Sequence, residues 1–228
     1  MVATWPAWVA WSASCVPPPD PMGHHAPMAT FDERAKDWDT PERIARAHEA
    51  ADAIRANVDL APTDRVVDLG AGTGLLGLAL LDDIGELVLA EPSDGMLAVI
   101  AEKLAAADLP QVSAVKLDLV ADAPPADPFD LAVSFLVLHH IEDTAAALAA
   151  VRRLLRPGGR IALSDLDTED GTFHSPEAEG IHHLGFDRDA LTELARAAGF
   201  VEVEARSAID IEDEGRRYPT FLLLGRNP

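Results

Sequence analysis

Val66-Val67-Asp68-Leu69-Gly70-Ala71-Gly72-Thr73-Gly74 is the stretch on which the fold turns. Its first half, with Arg65, is short, apolar and rich in valine, as a buried strand is. Its second half places a glycine at every other position, and residues 75–81 beyond it read as a helix. Glycine lets the chain turn tightly and lets a ligand approach a backbone without a Cβ. The following helix offers free N–H groups and the positive end of its dipole to that ligand. Two common ligands do not match the spacing. A dinucleotide fingerprint, Gly-x-Gly-x-x-Gly, needs glycine at position 75, which is Leu75. A phosphate-binding loop ends in Gly-Lys-Ser/Thr, and this turn has no lysine.

Outward from this unit the pattern alternates. Upstream, Thr40 caps a helix expected over residues 41–57, with Pro41 at its first position and Glu42 in its first turn. Downstream, strands are expected over 86–91, 112–117, 130–135 and 160–164. Helices are expected from Ser93-Asp94 to Leu104, over 143–155 and over 187–198. Arg156-Pro157-Gly158-Gly159 reads as a stop between helix and strand. Residues 201–206 and 221–226 supply two last strands, able to pair antiparallel, although the acidic stretch 210–214 between them is long for a hairpin. Alternating strands and helices specify an α/β fold, a mostly parallel sheet with helices on both faces.

Composition narrows the function. The 228 residues suit one α/β domain, and 48% of them are apolar. With 18 Lys+Arg against 39 Asp+Glu the net charge is −21. Nucleic acid and anionic membrane surfaces are therefore not expected as partners, since both need clustered cations. Cys15 is the single cysteine, so no internal disulfide can form, which fits a cytoplasmic location. Residues 1–28 are apolar and Trp-rich, then Pro-rich, with no basic residue before the apolar run. They are expected to be a disordered extension ahead of a domain spanning 29–228, with Trp5, Trp8 and Trp11 as an alternative docking patch.

The stretch 66–74 resembles motif I of the class I S-adenosylmethionine-dependent methyltransferases. The similarity continues at Glu91, at Asp118, at Phe129-Asp130-Leu131-Ala132-Val133-Ser134 and at Leu154-Leu155-Arg156-Pro157-Gly158-Gly159, and covers about residues 30–226. It implies a Rossmann-like, seven-stranded sheet with an antiparallel last strand, and S-adenosylmethionine as cofactor. Asp68 is then expected to face the methionine amino group. Glu91, 23 positions on and about one βαβ step away, can accept from the ribose hydroxyls. Asp118 and Leu119 are expected to border the adenine. Gly70, Ala71, Gly72, Thr73, Gly74, Pro92, Met96, Ser134 and Phe135 complete the expected cofactor site. Phe31-Asp32-Glu33-Arg34-Ala35-Lys36-Asp37-Trp38-Asp39 resembles the aromatic entry segment of small-molecule methyltransferases, with Phe31 and Trp38 toward the substrate.

The Asn/Asp-Pro-Pro-Tyr/Phe clamp of amide and adenine methylases is replaced by Ser134-Phe135-Leu136-Val137-Leu138. His139 and His140 follow, and His174, His182 and His183 lie in the long polar segment 166–185, a candidate lid. His139, His140, His182 and His183 are the candidate bases; His139, His174 and His183 are candidate substrate contacts. A base of this kind gives a rate that rises through a pH near about 6–7. No metal is expected, because no cysteine supports the histidines and adjacent histidines usually diverge. The expected activity is methyl transfer to a small-molecule nucleophile, by a monomer or homodimer, with the methylated atom (O, N, S or C) open. The alternatives are a protein methyltransferase acting on a cationic segment and a non-catalytic S-adenosylmethionine-binding module.

Overall fold

The computed structural model describes residues 30–175, 178 and 180–228; the extension expected over 1–28 lies outside them. After a one-turn helix α1 (Phe31–Arg34) and a 3₁₀ turn, α2 runs Pro41–Asn57 with Thr40 as its cap, the Arg43 N–H donating to the Thr40 hydroxyl at 3.3 Å. There follow β1 (Arg65–Leu69), α3 (Leu75–Ala79), β2 (Glu86–Glu91), α4 (Asp94–Ala106), β3 (Val112–Lys116) and β4 (Phe129–Phe135). The chain continues as α5 (Thr144–Leu154), β5 (Leu155–Leu166), α6 (Arg188–Ala197), β6 (Val201–Asp213) and β7 (Arg216–Arg226).

The seven strands form one sheet in the order β3-β2-β1-β4-β5-β7-β6. The pairs from β3 to β5 are parallel, and β7 runs antiparallel between β5 and β6. Strand alternation divides the core into two layers. Val66, Leu131 and Val133 pack under α2, α3 and α4 through Ala51, Ile54, Leu76 and Ile100. Val67, Leu69 and Ala132 pack under α5 and α6 through Leu148, Val151, Leu191 and Ala195. Chain progression reverses between β1 and β4, from one edge of the sheet to the other. The crevice at the carboxyl ends of such a pair is where open α/β sheets bind ligands.

Three boundaries differ from expectation. The last two strands reach through the acidic stretch, pairing Ile211 with Tyr218 and Asp213 with Arg216. Glu214-Gly215, with φ of +47° and +76°, makes a two-residue turn whose twist suits a hairpin. Ile211 and Tyr218 are buried against Leu166, and this burial outweighs the polar composition around them. Residues 156–159 also belong to the sheet rather than to a separate stop. Leu155 pairs with Phe129, and Gly158 N–H donates to the Asn227 carbonyl at 2.8 Å within a register shift. The helix expected over 75–81 ends at Ala79 and passes into a 3₁₀ turn.

Candidate active site

Strand β1 delivers Asp68 and the glycine turn to the switch point. Gly70 and Gly72 have φ of +60° and +57°, a region that costs other L-residues about 1–2 kcal/mol. A Cβ on Gly70 would stand 2.6 Å from Val137 Cγ1. A Cβ on Gly72 would meet Trp38 Nε1 in ordinary contact at 3.6 Å, with no clash. Glu91, at the end of β2, holds the turn: Oε2 accepts from Gly72 N–H at 2.8 Å and Oε1 from Ser93 N–H at 3.0 Å. Asp68 Oδ2 accepts from Gly77 N–H at 2.9 Å in the first turn of α3.

Burial pushes the Asp68 carboxyl up to about 7, the Gly77 hydrogen bond opposing and the Glu91 charge adding to the rise. Burial likewise raises Glu91, against its two backbone hydrogen bonds. Two carboxyls with a disfavoured negative charge, side by side, suit a ligand that brings a cation and hydroxyl donors.

The aromatic entry segment closes over this turn. Asp32 Oδ1 accepts from the Ser93 hydroxyl at 2.5 Å and Gly95 N–H at 2.8 Å, which docks α1 on the start of α4. Asp39 bonds the Thr73 hydroxyl and pairs with Lys103, whose Nζ also donates to the Thr73 carbonyl at 2.8 Å. The ring of Trp38 carries the Arg43 guanidinium 4.1 Å from its centroid and that of Arg34 at 5.1 Å. Arg46 stands on the same wall. Arg34, Arg43 and Arg46 line one cavity in a chain of net charge −21, with Arg46 paired to Asp213 of the same lining at 3.6 Å.

At the far end β4 stops at Phe135, Leu136 follows as a non-glycine residue with φ +59°, and the chain turns into His139 and His140. His139 is 1% exposed; its Nδ1 lies 2.7 Å from Oδ1 of Asp165, which is fully buried at the end of β5. His140 Nδ1 lies 2.9 Å from the Gly180 carbonyl, and His174 Nε2 lies 3.1 Å from His139 Nε2. The carboxylate and the carbonyl accept only, so both Nδ1 atoms carry their protons and both Nε2 lone pairs are left for other partners. Burial, reinforced by His139, lowers both His140 and His174 to about 4. Both are therefore neutral at pH 7.

One cavity of about 770 Å³ joins these parts, from Gly70, Gly72, Glu91 and Met96 to the histidines. Of the residues expected from sequence, Asp68, Gly70, Ala71, Gly72, Glu91, Pro92, Met96, Phe135, Phe31, Trp38, His139, His140 and His174 line it. Thr73 and Gly74 support the turn from behind. Ser134 is buried in β4, and Asp118 accepts from the N–H groups of Val120 and Ala121 in its own turn, with Leu119 packed on the core. None of these five lines the cavity. His182 and His183 do not line it either. Their backbone N–H groups donate to the His139 carbonyl at 2.9 and 3.2 Å, and His183 Nε2 sits 3.0 Å from the Ile141 carbonyl. They position the loop that carries His139. Sequence reasoning missed Asp165, Arg34, Arg43 and Arg46. An acid inside the apolar run Ile161-Ala162-Leu163-Ser164-Asp165-Leu166, and two arginines at i, i+3 on α2, were the available signals.

Residues 67–161 match the family model described as a methyltransferase domain. Over these residues the chain is similar to the class I S-adenosylmethionine-dependent methyltransferases. It is 35% identical over 115 residues to a demethylmenaquinone methyltransferase of Corynebacterium urealyticum, covering 50% of this chain and 46% of that protein. It is 38% identical over 104 residues to a ubiquinone/menaquinone biosynthesis C-methyltransferase of Teredinibacter turnerae, covering 44% and 42%. The chain thus spans about half the length of these relatives. Among solved structures it is similar to a chain of the complex between the Haloferax volcanii Trm112 methyltransferase activator and its methyltransferase. The TM-score is 0.70 at 23% identity, over 87% of this chain and 97% of that one. It also resembles a Haemonchus contortus phosphoethanolamine N-methyltransferase solved with phosphomonomethylethanolamine and S-adenosylhomocysteine, at TM-score 0.67 and 14% identity over 88% and 61%. Among the described residues no helix is long and apolar enough to cross a membrane.

Proposed function

We propose that this chain transfers a methyl group from S-adenosylmethionine to a small, anionic or hydroxyl-bearing molecule held in the cavity. The carrying observation is the continuity of that cavity: the open face of Gly72, with Asp68 and Glu91, at one end and the three histidines at the other. The residues fit the cofactor. Asp68 would take the amino group of its methionine part and Glu91 the ribose hydroxyls, using lone pairs the backbone N–H groups leave free. Bound there, S-adenosylmethionine supplies a methyl already activated for displacement by its sulfonium. The chain then has to position a nucleophile, which can supply about 7–11 kcal/mol of the barrier. Phe31, Trp38 and Phe173 shape an aromatic wall that excludes water from that line. His139 Nε2, braced through Nδ1 by Asp165, is the atom that takes up the proton or negative charge of the nucleophile.

Arg34 and Arg43, stacked on Trp38 in the cavity wall, disfavour the alternative of a cationic protein segment as substrate, because like charges would meet there. The names of the quinone-methylating relatives support a planar, ring-bearing substrate, which suits the aromatic wall. Calorimetry with S-adenosylmethionine and with NAD tests the cofactor; equal affinities would sink it. Transfer of tritiated methyl to a metabolite extract, compared with a protein extract, tests the substrate class. Label confined to protein would overturn the small-molecule reading.

A further inference from the structure

We infer that His139, His140 and His174 form a binding site for a divalent transition-metal ion of the zinc type, open to the substrate cavity. One ring nitrogen from each residue lies within 4.8 Å of the other two. Zinc–imidazole bonds of 2.0–2.1 Å put two tetrahedral ligand atoms about 3.3 Å apart. The His139 and His174 Nε2 atoms are already 3.1 Å apart.

The surroundings are those of a ligand set. Metal-bound histidine usually donates its other ring N–H to a carboxylate or backbone carbonyl, which fixes the tautomer and aims the lone pair. His139 has Asp165 in that role at 2.7 Å, and His140 has the Gly180 carbonyl at 2.9 Å. The rings are held in place by edge contacts, Phe31 on His140 at 5.2 Å and Phe173 on His174 at 4.8 Å between centroids. Among the described residues the ligand atoms gathered within 4.8 Å of one another are the three imidazole nitrogens, and three neutral nitrogen ligands favour Zn²⁺ or Co²⁺ over Mg²⁺ or Ca²⁺. All three residues line the cavity, so a fourth position faces whatever the cavity holds. Three protein ligands with an open fourth position is the arrangement of catalytic rather than structural zinc.

The consequence for the reaction rests on the methyltransferase reading above. A substrate hydroxyl occupying the fourth position would lose its proton to solvent near neutral pH, as zinc-bound water does. The metal would then replace direct proton uptake at His139 Nε2, since one lone pair cannot serve both.

The test uses the untagged full chain, stripped with a chelator and titrated with Zn²⁺ and separately with Co²⁺. One equivalent should bind, with the intense visible absorption of tetrahedral Co²⁺, and the melting temperature should rise. His174→Ala, at a half-exposed position, should remove the absorption and weaken binding at least 100-fold. Asp165→Asn should weaken it about 10–100-fold. His48→Ala, on α2, should leave it unchanged. Binding that survives His174→Ala, or an absence of stoichiometric binding by the stripped chain, would overturn the site. S-adenosylmethionine calorimetry on the same stripped protein separates the two readings. Metal binding without cofactor binding would refute the methyltransferase reading alone; cofactor binding without metal binding would refute the metal site alone.

Discussion

Glu91 Oε2 accepts the Gly72 N–H at 2.8 Å, so a carboxylate at the end of β2 holds the glycine turn that follows β1. The same group closes on Ser93 N–H at 3.0 Å, ahead of α4. Its charge therefore holds the turn, and in the proposed site it would serve the cofactor as well. Glu91→Ala should weaken S-adenosylmethionine binding by about 1.5–3 kcal/mol, the range for hydrogen bonds to a charged group, and lower the melting temperature as the turn loses its anchor. Calorimetry and thermal unfolding on one preparation check both. Unchanged affinity would place the ribose elsewhere.

Gly70 and Gly72 should respond differently to the same substitution. Gly70→Ala drives a methyl into Val137 in addition to its positive φ, so overpacking of about 1–3 kcal/mol adds to the backbone cost. It should lose both stability and binding. Gly72→Ala meets only Trp38 Nε1 at 3.6 Å and carries the backbone cost alone. It should fold with a modest loss and fail to bind the cofactor, because its methyl occupies the ligand's space. Normal affinity in Gly72→Ala would show that the ligand does not approach that face.

Cofactor affinity should rise with pH up to about 7. Asp68 is raised to about 7 by burial and by Glu91, and it must shed its proton before it can pair with an ammonium. Below that pH the affinity should fall about tenfold per unit, with one proton released on binding. Calorimetry in two buffers of different ionisation enthalpy measures that proton, and Asp68→Asn should abolish it. In the free chain the sign for stability is the reverse. A carboxyl raised above its ordinary 3.8 stabilises the fold most at acid pH, and that contribution is lost as pH rises from 3.8 through 7.

His140 and His174, lowered to about 4, act in the opposite direction. Between 6.5 and 4 the unfolded chain takes up two protons that the fold refuses. Their contribution to stability is therefore present above 6.5 and lost as pH falls through that window. Two imidazoles outweigh the single Asp68 carboxyl, so these three groups together make stability rise with pH from about 4 to 6.5. Chemical denaturation at several pH values should show a shallower slope for His174→Gln. An unaltered slope in His174→Gln would mean that His174 is not held neutral in the fold.

The sequence by itself determined the sheet and the glycine turn at its switch point. Buried parallel strands announce themselves as apolar runs, and the turn at 70–74 needs glycines whose spacing already excludes a dinucleotide or P-loop site. Glu91 was placed by one βαβ step. These are local features, decided within a strand, a turn and a helix. The rest depended on contacts far apart in the chain. Asp118 is an acid after β3 that could have faced the cavity; in the structure it accepts from N–H groups of its own turn and does not line the cavity. Five histidines shared one segment of sequence logic. The tertiary structure brought His139, His140 and His174 together over Asp165 and left His182 and His183 holding the loop behind them. Side-chain direction at the end of a strand is set by packing against distant segments, here α1, β5 and the stretch around Gly180, and no local pattern encodes it.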